Sequence, residues 1–380
     1  MLGLKKLKVG VICYPSLGGS GVIATELGIM MADKGHEMHY ITSGKPFRFL
    51  DAHPNIHFHE VKIDGYAVFK YPPYDIALAN RIAQVIESEQ LDLLHVHYAV
   101  PHAISAVLAK DMANSTIGIM TTLHGTDVTI LGHDPGLQNT VRYGINKSDI
   151  ITAVSESLRQ ETLELIEPEK DILTVYNFID EQKYQPVNPG TLKADLGIGA
   201  HDKVIIHISN FRKVKRIEDI IVSFKDVAQT VEAKLLLVGE GPEKEEMERL
   251  VRELGLQDQV IFTGKRDDLP ELLAISDLMF HLSEKEAFGL VILEGFACGV
   301  PAIATAVGGM PEVIEDGVDG YLVPLGDITA VVEKALALLQ DEALYETIKA
   351  NALQTAANKF CSATIVAQYE ELYYELAGRT

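Results

Sequence analysis

The stretch Ser283 to Ala304, SEKEAFGLVILEGFACGVPAIA, sets two glutamates, Glu286 and Glu294, eight positions apart around a Phe288-Gly289 step. The apolar run Leu278 to Leu282 precedes it and reads as a buried strand. From Gly289 onward, Leu290, Val291, Leu293 and Ala297 supply an apolar helical face, so Glu286 falls in the loop before a helix and Glu294 inside it. Gly299, Val300 and Pro301 end that helix: glycine follows the cap, valine adds the next apolar contact and proline blocks continuation. Its first turn would leave the N–H groups of Gly289, Leu290 and Val291 at the positive end of the helix dipole, which suits a diphosphate. The two carboxylates can then accept hydroxyl hydrogen bonds from sugars on either side. Strand, loop and helix in this order predict an α/β fold.

The same grammar runs outward in both directions. In the first half, Val9 to Tyr14 reads as a strand, Pro15 to Gly21 as a glycine loop and Val22 to Lys34 as a helix. His36 to Thr42, Asn55 to Val61, Leu91 to His97 and Ile117 to Leu123 continue as strands, with a helix over Ile76 to Glu89. Ile151 to Val154 and Ile172 to Tyr176 extend the series. Ile179 to Gly190, with two prolines and a glycine, reads as a linker. A second series follows, with strands at Lys203 to Ile208, Lys234 to Gly239, Val260 to Gly264, Leu278 to Leu282 and Ala302 to Thr305. Two Rossmann-like domains are expected, an N-terminal one over 1–180 and a C-terminal one over 190–360, each gathering ligands at the carboxyl ends of its strands.

At 380 residues and 47% hydrophobic content the chain suffices for two full cores. A formal charge of −21 argues against nucleic acid and anionic membranes as partners. Lys5-Lys6-Leu7-Lys8 leads directly into a strand, too short a cluster to anchor the chain, and no window is apolar and long enough to span a bilayer. Nor does Val9 to Tyr14 make a signal peptide. Three scattered cysteines, Cys13, Cys298 and Cys361, fit a reduced cytoplasmic protein.

Gly19-Ser20-Gly21 lies between a strand and a helix, but the second strand ends in Thr42-Ser43-Gly44, without the acidic residue that would hold an adenosine ribose. The loop is therefore read as a close-approach turn. Arg212, Lys213, Lys215 and Arg216 put four cations in five positions after a strand, an anion-site pattern. Asp-x-Asp occurs nowhere, so fixed cations rather than a divalent metal would neutralise a leaving diphosphate. His57-Phe58-His59 and His95-Val96-His97 place paired imidazoles on one strand face, yet neither has a cysteine or carboxylate at matching spacing, and no metal is assigned.

Ser283, Glu286, Phe288, Gly289, Glu294, Ala297, Gly299 and Pro301, followed by Gly308 to Glu312, resemble the Glu-x7-Glu signature of the GT4 family of retaining glycosyltransferases. The resemblance implies the GT-B fold, two Rossmann-like domains facing across a cleft, with a C-terminal helix at about 362–380 crossing back to the first domain. Gly295 departs from the usual Ala. The resemblance assigns catalysis to His124, Lys215, Arg212 and Glu286. It assigns the donor to Gly19, Asn210, Gly264, Lys265, Arg266, Phe288, Gly289, Leu290 and Glu294, with backbone groups around Lys265 and Arg266 reading a uracil. Asn210 stands where the family carries an Arg, and Arg212 is the substitute cation.

CYPSLGGSGVIATELG (13–28), HFHEV (57–61), YPPYDIALA (71–79), HVHYAVPHAI (95–104) and TTLHGTDVTILG (121–132) carry a narrower resemblance. With TVYNFID (174–180) and HISNFRKVKR (207–216), they are similar to a branch of the family acting at the first step of bacillithiol biosynthesis. That branch transfers N-acetylglucosamine from UDP-GlcNAc to the hydroxyl of L-malate with retention. It implies no cofactor and an acceptor-binding arginine in the helix after the HGT-type loop, here Arg142, with Tyr98 and Thr126 as secondary candidates at strand ends. A homo-oligomer is compatible with the sequence. The rival expectations are a GT4 transferase using a lipid-linked or polysaccharide acceptor, and a two-domain sugar-binding protein without catalysis.

Overall fold

Runs of consecutive apolar residues, rather than alternating ones, become strands covered on both faces. In the computed structural model, which describes residues 5–15, 18–63 and 73–378, the first half forms a seven-stranded parallel sheet in the order β3-β2-β1-β4-β5-β6-β7. These strands are β1 Lys8–Ile12, β2 Glu37–Thr42, β3 Ile56–Glu60, β4 Leu93–His97, β5 Gly118–Leu123, β6 Ile150–Ala153 and β7 Leu173–Thr174. The second half forms a six-stranded parallel sheet, β10-β9-β8-β11-β12-β13. Here β8 is Lys203–Ile208, β9 Ala233–Val238, β10 Val260–Gly264, β11 Leu278–His281, β12 Ala302–Thr305 and β13 Tyr321–Val323. Both are doubly wound. The strand order reverses between β1 and β4 and between β8 and β11, so the loops leaving those four strands border each sheet's ligand crevice. Ser16 and Leu17 of the glycine loop, and Tyr71 and Pro72 of the quoted 71–79 segment, lie outside the described residues.

The chain divides into two compact units, 1–177 with 363–380, and 178–362. The stretch 179–190 is not a free linker. Ile179 bridges to Cys361, Tyr184 is buried, and Glu181 accepts the backbone N–H and hydroxyl of Ser362, so the segment is anchored in the second unit. The helix Ser362–Gly378 belongs to the first unit from Ala363 onward. Tyr373 hydroxyl meets His95 Nδ1 at 2.7 Å, and Glu370 pairs with Lys34 and His36.

Two local details differ from expectation. The first helix spans Gly19–Asp33, three residues earlier than its apolar pattern, because extended Gly18 serves as the cap and Gly19 and Gly21 already lie in the first turn. The helix Leu290–Ala297 is not one-sided: Ile292 and Phe296 are fully buried while Leu290 and Val291 are half-buried, since the helix Glu342–Lys359 packs over it. Its end is as read, with Gly299 N–H donating to Phe296 O and Val300 N–H to Gly295 O. Gly295 faces the Met279 thioether and the Val300 carbonyl; a Cβ there would lie 3.0 Å from Met279 Cε and 3.5 Å from Val300 O.

Candidate functional site

In the second unit, the loop after β8 turns through Lys213–Lys215, and the loop after β11 carries Glu286. Glu284 N–H donates to Val214 O at 2.8 Å, stitching the two loops together at the switch point. Lys215 Nζ then donates to Glu286 Oε2 at 2.6 Å, and His281 Nε2, at the end of β11, bonds the same oxygen at 2.9 Å. The side chains of Lys215 and Glu286 are 17% and 18% exposed, enough to be reached and too little to be well screened. Burial pushes the Glu286 carboxyl up, but the Lys215 ammonium and the His281 bond outweigh it and hold the group well below the usual carboxylate range. A fixed ammonium beside an ionised carboxylate results.

Two glycine loops set this geometry. A side chain at Gly308 would collide with Glu286 O at 2.0 Å, and Gly309 N–H donates to that same carbonyl at 3.0 Å. A side chain at Gly239 would sit 1.9 Å from Ser209 O, so only glycine lets the β9 loop press against the cation loop. The helix Leu290–Ala297 starts directly after Glu286-Ala287-Phe288-Gly289, and the N–H groups of Leu290 and Val291 emerge at its positive end. Glu294, within the helix, is 5% exposed.

The remaining second-unit residues separate. Lys265 and Asn210 are exposed. Arg266 is committed bidentately to Asp268, at 2.7 and 2.5 Å, which leaves the backbone of this loop for recognition. Gly264 supplies the left-handed turn into it. Arg212 is exposed; its carbonyl accepts the Lys215 N–H at 2.8 Å, and it lines a groove with Glu243 and Glu246. His281 was not anticipated. Its only signal was a histidine near the end of a buried strand, five residues before Glu286.

In the first unit, Tyr98 follows β4 with φ of 85°, an unusual backbone for a non-glycine residue, and its hydroxyl lies 2.7 Å from Ser20 Oγ in the first turn of the Gly19 helix. The loops after β1 and β4 therefore meet, as those after β8 and β11 do. His124, after β5, bonds His97 Nδ1 through Nε2 at 2.8 Å, and its ring lies 5.3 Å from that of Tyr98. Asp127 is fully buried and accepts the backbone N–H groups of His124, Gly125 and Ala99, which fixes the turn. Burial pushes its carboxyl up to about 6 against those three bonds. Thr126 is exposed in this turn. Arg142 sits elsewhere on the helix Gln138–Lys147, where its Nε donates to Ile166 O at the end of another helix. Ser20 and Asp127 were not singled out from the sequence, and His97 only as half of an imidazole pair with His95.

His95 and His97 do not form a metal pair. Tyr373 and Thr122 engage His95, and His124 engages His97. Burial drives these imidazoles neutral: His95 and His124 fall to about 3, His102 to about 4, and His97 lies well below its ordinary value. In the unfolded chain each would titrate near 6.5. A base with a depressed folded pKa lends stability above the unfolded value and loses it as pH falls, at about 1.4 kcal/mol per pH unit per histidine. The urea midpoint is thus expected to drop steadily from pH 7 to pH 5. A flat profile would mean that the native state protonates these rings freely.

Residues 17–183 match the sequence model of Glycosyltransferase Family 4, and residues 190–355 that of Glycosyl transferases group 1. The chain belongs to this family of glycosyltransferases. It is 56% identical over 371 residues to N-acetyl-alpha-D-glucosaminyl L-malate synthase of Bacillus anthracis, covering 98% of this chain and 97% of that one. Its fold is that of Anabaena HepE, solved in complex with UDP and glucose, with a TM-score of 0.81 at 22% identity over 96% of this chain and 99% of that one. Sucrose-phosphate synthase of Thermosynechococcus elongatus superposes with a TM-score of 0.83 at 20% identity, over 99% and 100% of the two chains. The two parallel-sheet, Rossmann-like units are those of the GT-B class.

Proposed function

We propose that this glycosyltransferase moves N-acetylglucosamine from UDP-GlcNAc to the hydroxyl of L-malate with retention, the first step of bacillithiol biosynthesis, in a reducing cytoplasm. The observation that carries the chemistry is the Lys215 ammonium bonded to Glu286 directly before the Leu290 helix start. On this reading the helix N–H groups cradle the diphosphate and Lys215 takes up the charge that grows on it as the bond to the sugar breaks. Glu286 accepts a sugar hydroxyl, Glu294 the ribose hydroxyls, and the Gly264-Lys265-Arg266 backbone the uracil. The departing phosphate oxygen helps deprotonate the acceptor on the same face. His124 stands beside the transferred sugar at the reaction centre, and Arg142, Tyr98 and Thr126 serve the acceptor, for which the full-length likeness to the malate synthase is the support. Fixed cations do the work of a metal.

The test is UDP release from UDP-GlcNAc with a panel of acceptors, with and without chelator. Release with L-malate, undiminished by chelator, is expected. Turnover confined to a lipid-linked or polysaccharide acceptor would overturn the acceptor, strict dependence on added Mn²⁺ or Mg²⁺ the metal-free transfer, and UDP binding without turnover the enzyme reading itself. Among the described residues no helix is long and apolar enough to cross a membrane.

Arg142→Ala is expected to raise the KM for L-malate about 10-fold or more, the loss of a half-screened cation from a carboxylate, while UDP affinity stays unchanged. Its lost bond to Ile166 O adds about 1 kcal/mol of destabilisation. Equal malate saturation curves with only the stability loss would leave Arg142 as a helix-end cap.

A further inference from the structure

Glu37, His39 and His57 converge at the edge of the seven-stranded sheet. The β2–β3 register sets His39 beside His57, and Glu37, two residues before His39, projects from the same face. One carboxylate oxygen and two ring nitrogens of these residues lie within 4.8 Å of one another. His39 is only 1% exposed, and its Nε2 has no hydrogen-bond partner, a condition that buried polar atoms rarely tolerate. Its other nitrogen, Nδ1, lies 3.0 Å from His59 Nε2. Donation of Nδ1–H to His59 leaves Nε2 as a bare lone pair.

That lone pair stands 3.9 Å from Glu37 Oε2, too far for a hydrogen bond. It is close to the roughly 3.4 Å that separates two ligands each about 2.1 Å from a tetrahedral ion. Lys8 Nζ, 3.3 Å from the same oxygen, is a half-exposed surface ammonium that can turn to solvent. The carboxylate at matching spacing that the His57-His59 pair lacks is supplied across the ladder by Glu37. The cluster is three strands from β5 and its His124, so it stands apart from the transfer chemistry.

We propose that Glu37, His39 and His57 form a binding site for a divalent transition metal of the zinc class, with water as the remaining ligand and His59 orienting His39. Two imidazoles and one carboxylate favour zinc-like ions over the all-oxygen shells of magnesium and calcium. A hydrogen bond to the far nitrogen of a ligand histidine is the usual outer support of such a site. The ion would clamp the edge strand β3 to β2.

The experiment titrates chelator-treated full-length protein with Co²⁺ and then Zn²⁺. The expected result is one equivalent of Co²⁺ with the intense visible bands of a four- or five-coordinate ion, displaced by Zn²⁺, and a melting temperature raised by Zn²⁺. His57→Gln and Glu37→Gln, both at partly exposed positions, should each weaken binding by about 10-fold or more, and the double variant should abolish the bands. A melting temperature near that of the parent in the absence of metal serves as the folding control. Absence of a stoichiometric Co²⁺ spectrum, or the same spectrum in the folded double variant, would overturn the site.

Discussion

Lys215→Ala is expected to lower kcat by about 10²- to 10³-fold, the usual loss when one fixed donor is removed from developing transition-state charge. The ammonium is held by a short turn and by Glu286, and neither needs to reorganise as charge moves onto the leaving diphosphate. The fold should suffer far less. Glu286 keeps its bond to His281, and the variant loses one partly exposed ion pair, so the stability cost is about 1–3 kcal/mol. The same deletion removes the main opposing charge from Glu286, whose carboxyl then rises toward the ordinary range. Saturating kinetics alongside a denaturant titration separate the effects. Activity within a few-fold of the parent would remove Lys215 from the reaction centre.

Lys215 and Glu286 were each legible as members of local motifs, a cation cluster after a strand and a carboxylate before a helix. Their bond was not, because it spans 71 positions and depends on which strand lies beside β8. His281, and the bond of His97 to His124, were hidden for the same reason: each histidine is one residue of a buried run until the sheet order shows what stands next to it. Capping chemistry travelled better, since Gly299-Val300-Pro301 acts on its own neighbours and ends its helix as read. Apolar periodicity travelled less well in the Leu290 helix, where a covering helix buries what the pattern leaves open. The linker reading of 179–190 does not foresee the burial of Tyr184 or the bonds of Glu181 to Ser362, a residue 181 positions away. Arg142 makes the converse point. A helical arginine reads as a surface charge, but its bond to Ile166 O depends on a helix 24 residues away.

Glu294→Ala is expected to weaken UDP by about 10²-fold or more while changing the malate KM little. A carboxylate accepting two ribose hydroxyls contributes about 1.5 to 3 kcal/mol per charged hydrogen bond, and both vanish together. Burial strengthens the expectation. At 5% exposure the group is poorly screened, and water replaces its bonds less readily than on an open surface. The position within the helix also matters: Glu294 lies one turn beyond Leu290, so a diphosphate at the helix start brings its ribose alongside the carboxylate. Alanine removes most of a nearly buried side chain, so some loss of stability accompanies the loss of affinity. Glu294→Gln separates the two. It preserves volume and one acceptor oxygen, and should bind UDP with an affinity between those of parent and alanine variant at near-parent stability. UDP titration of both folded variants decides the matter, and unchanged affinity in each would take Glu294 out of the donor site.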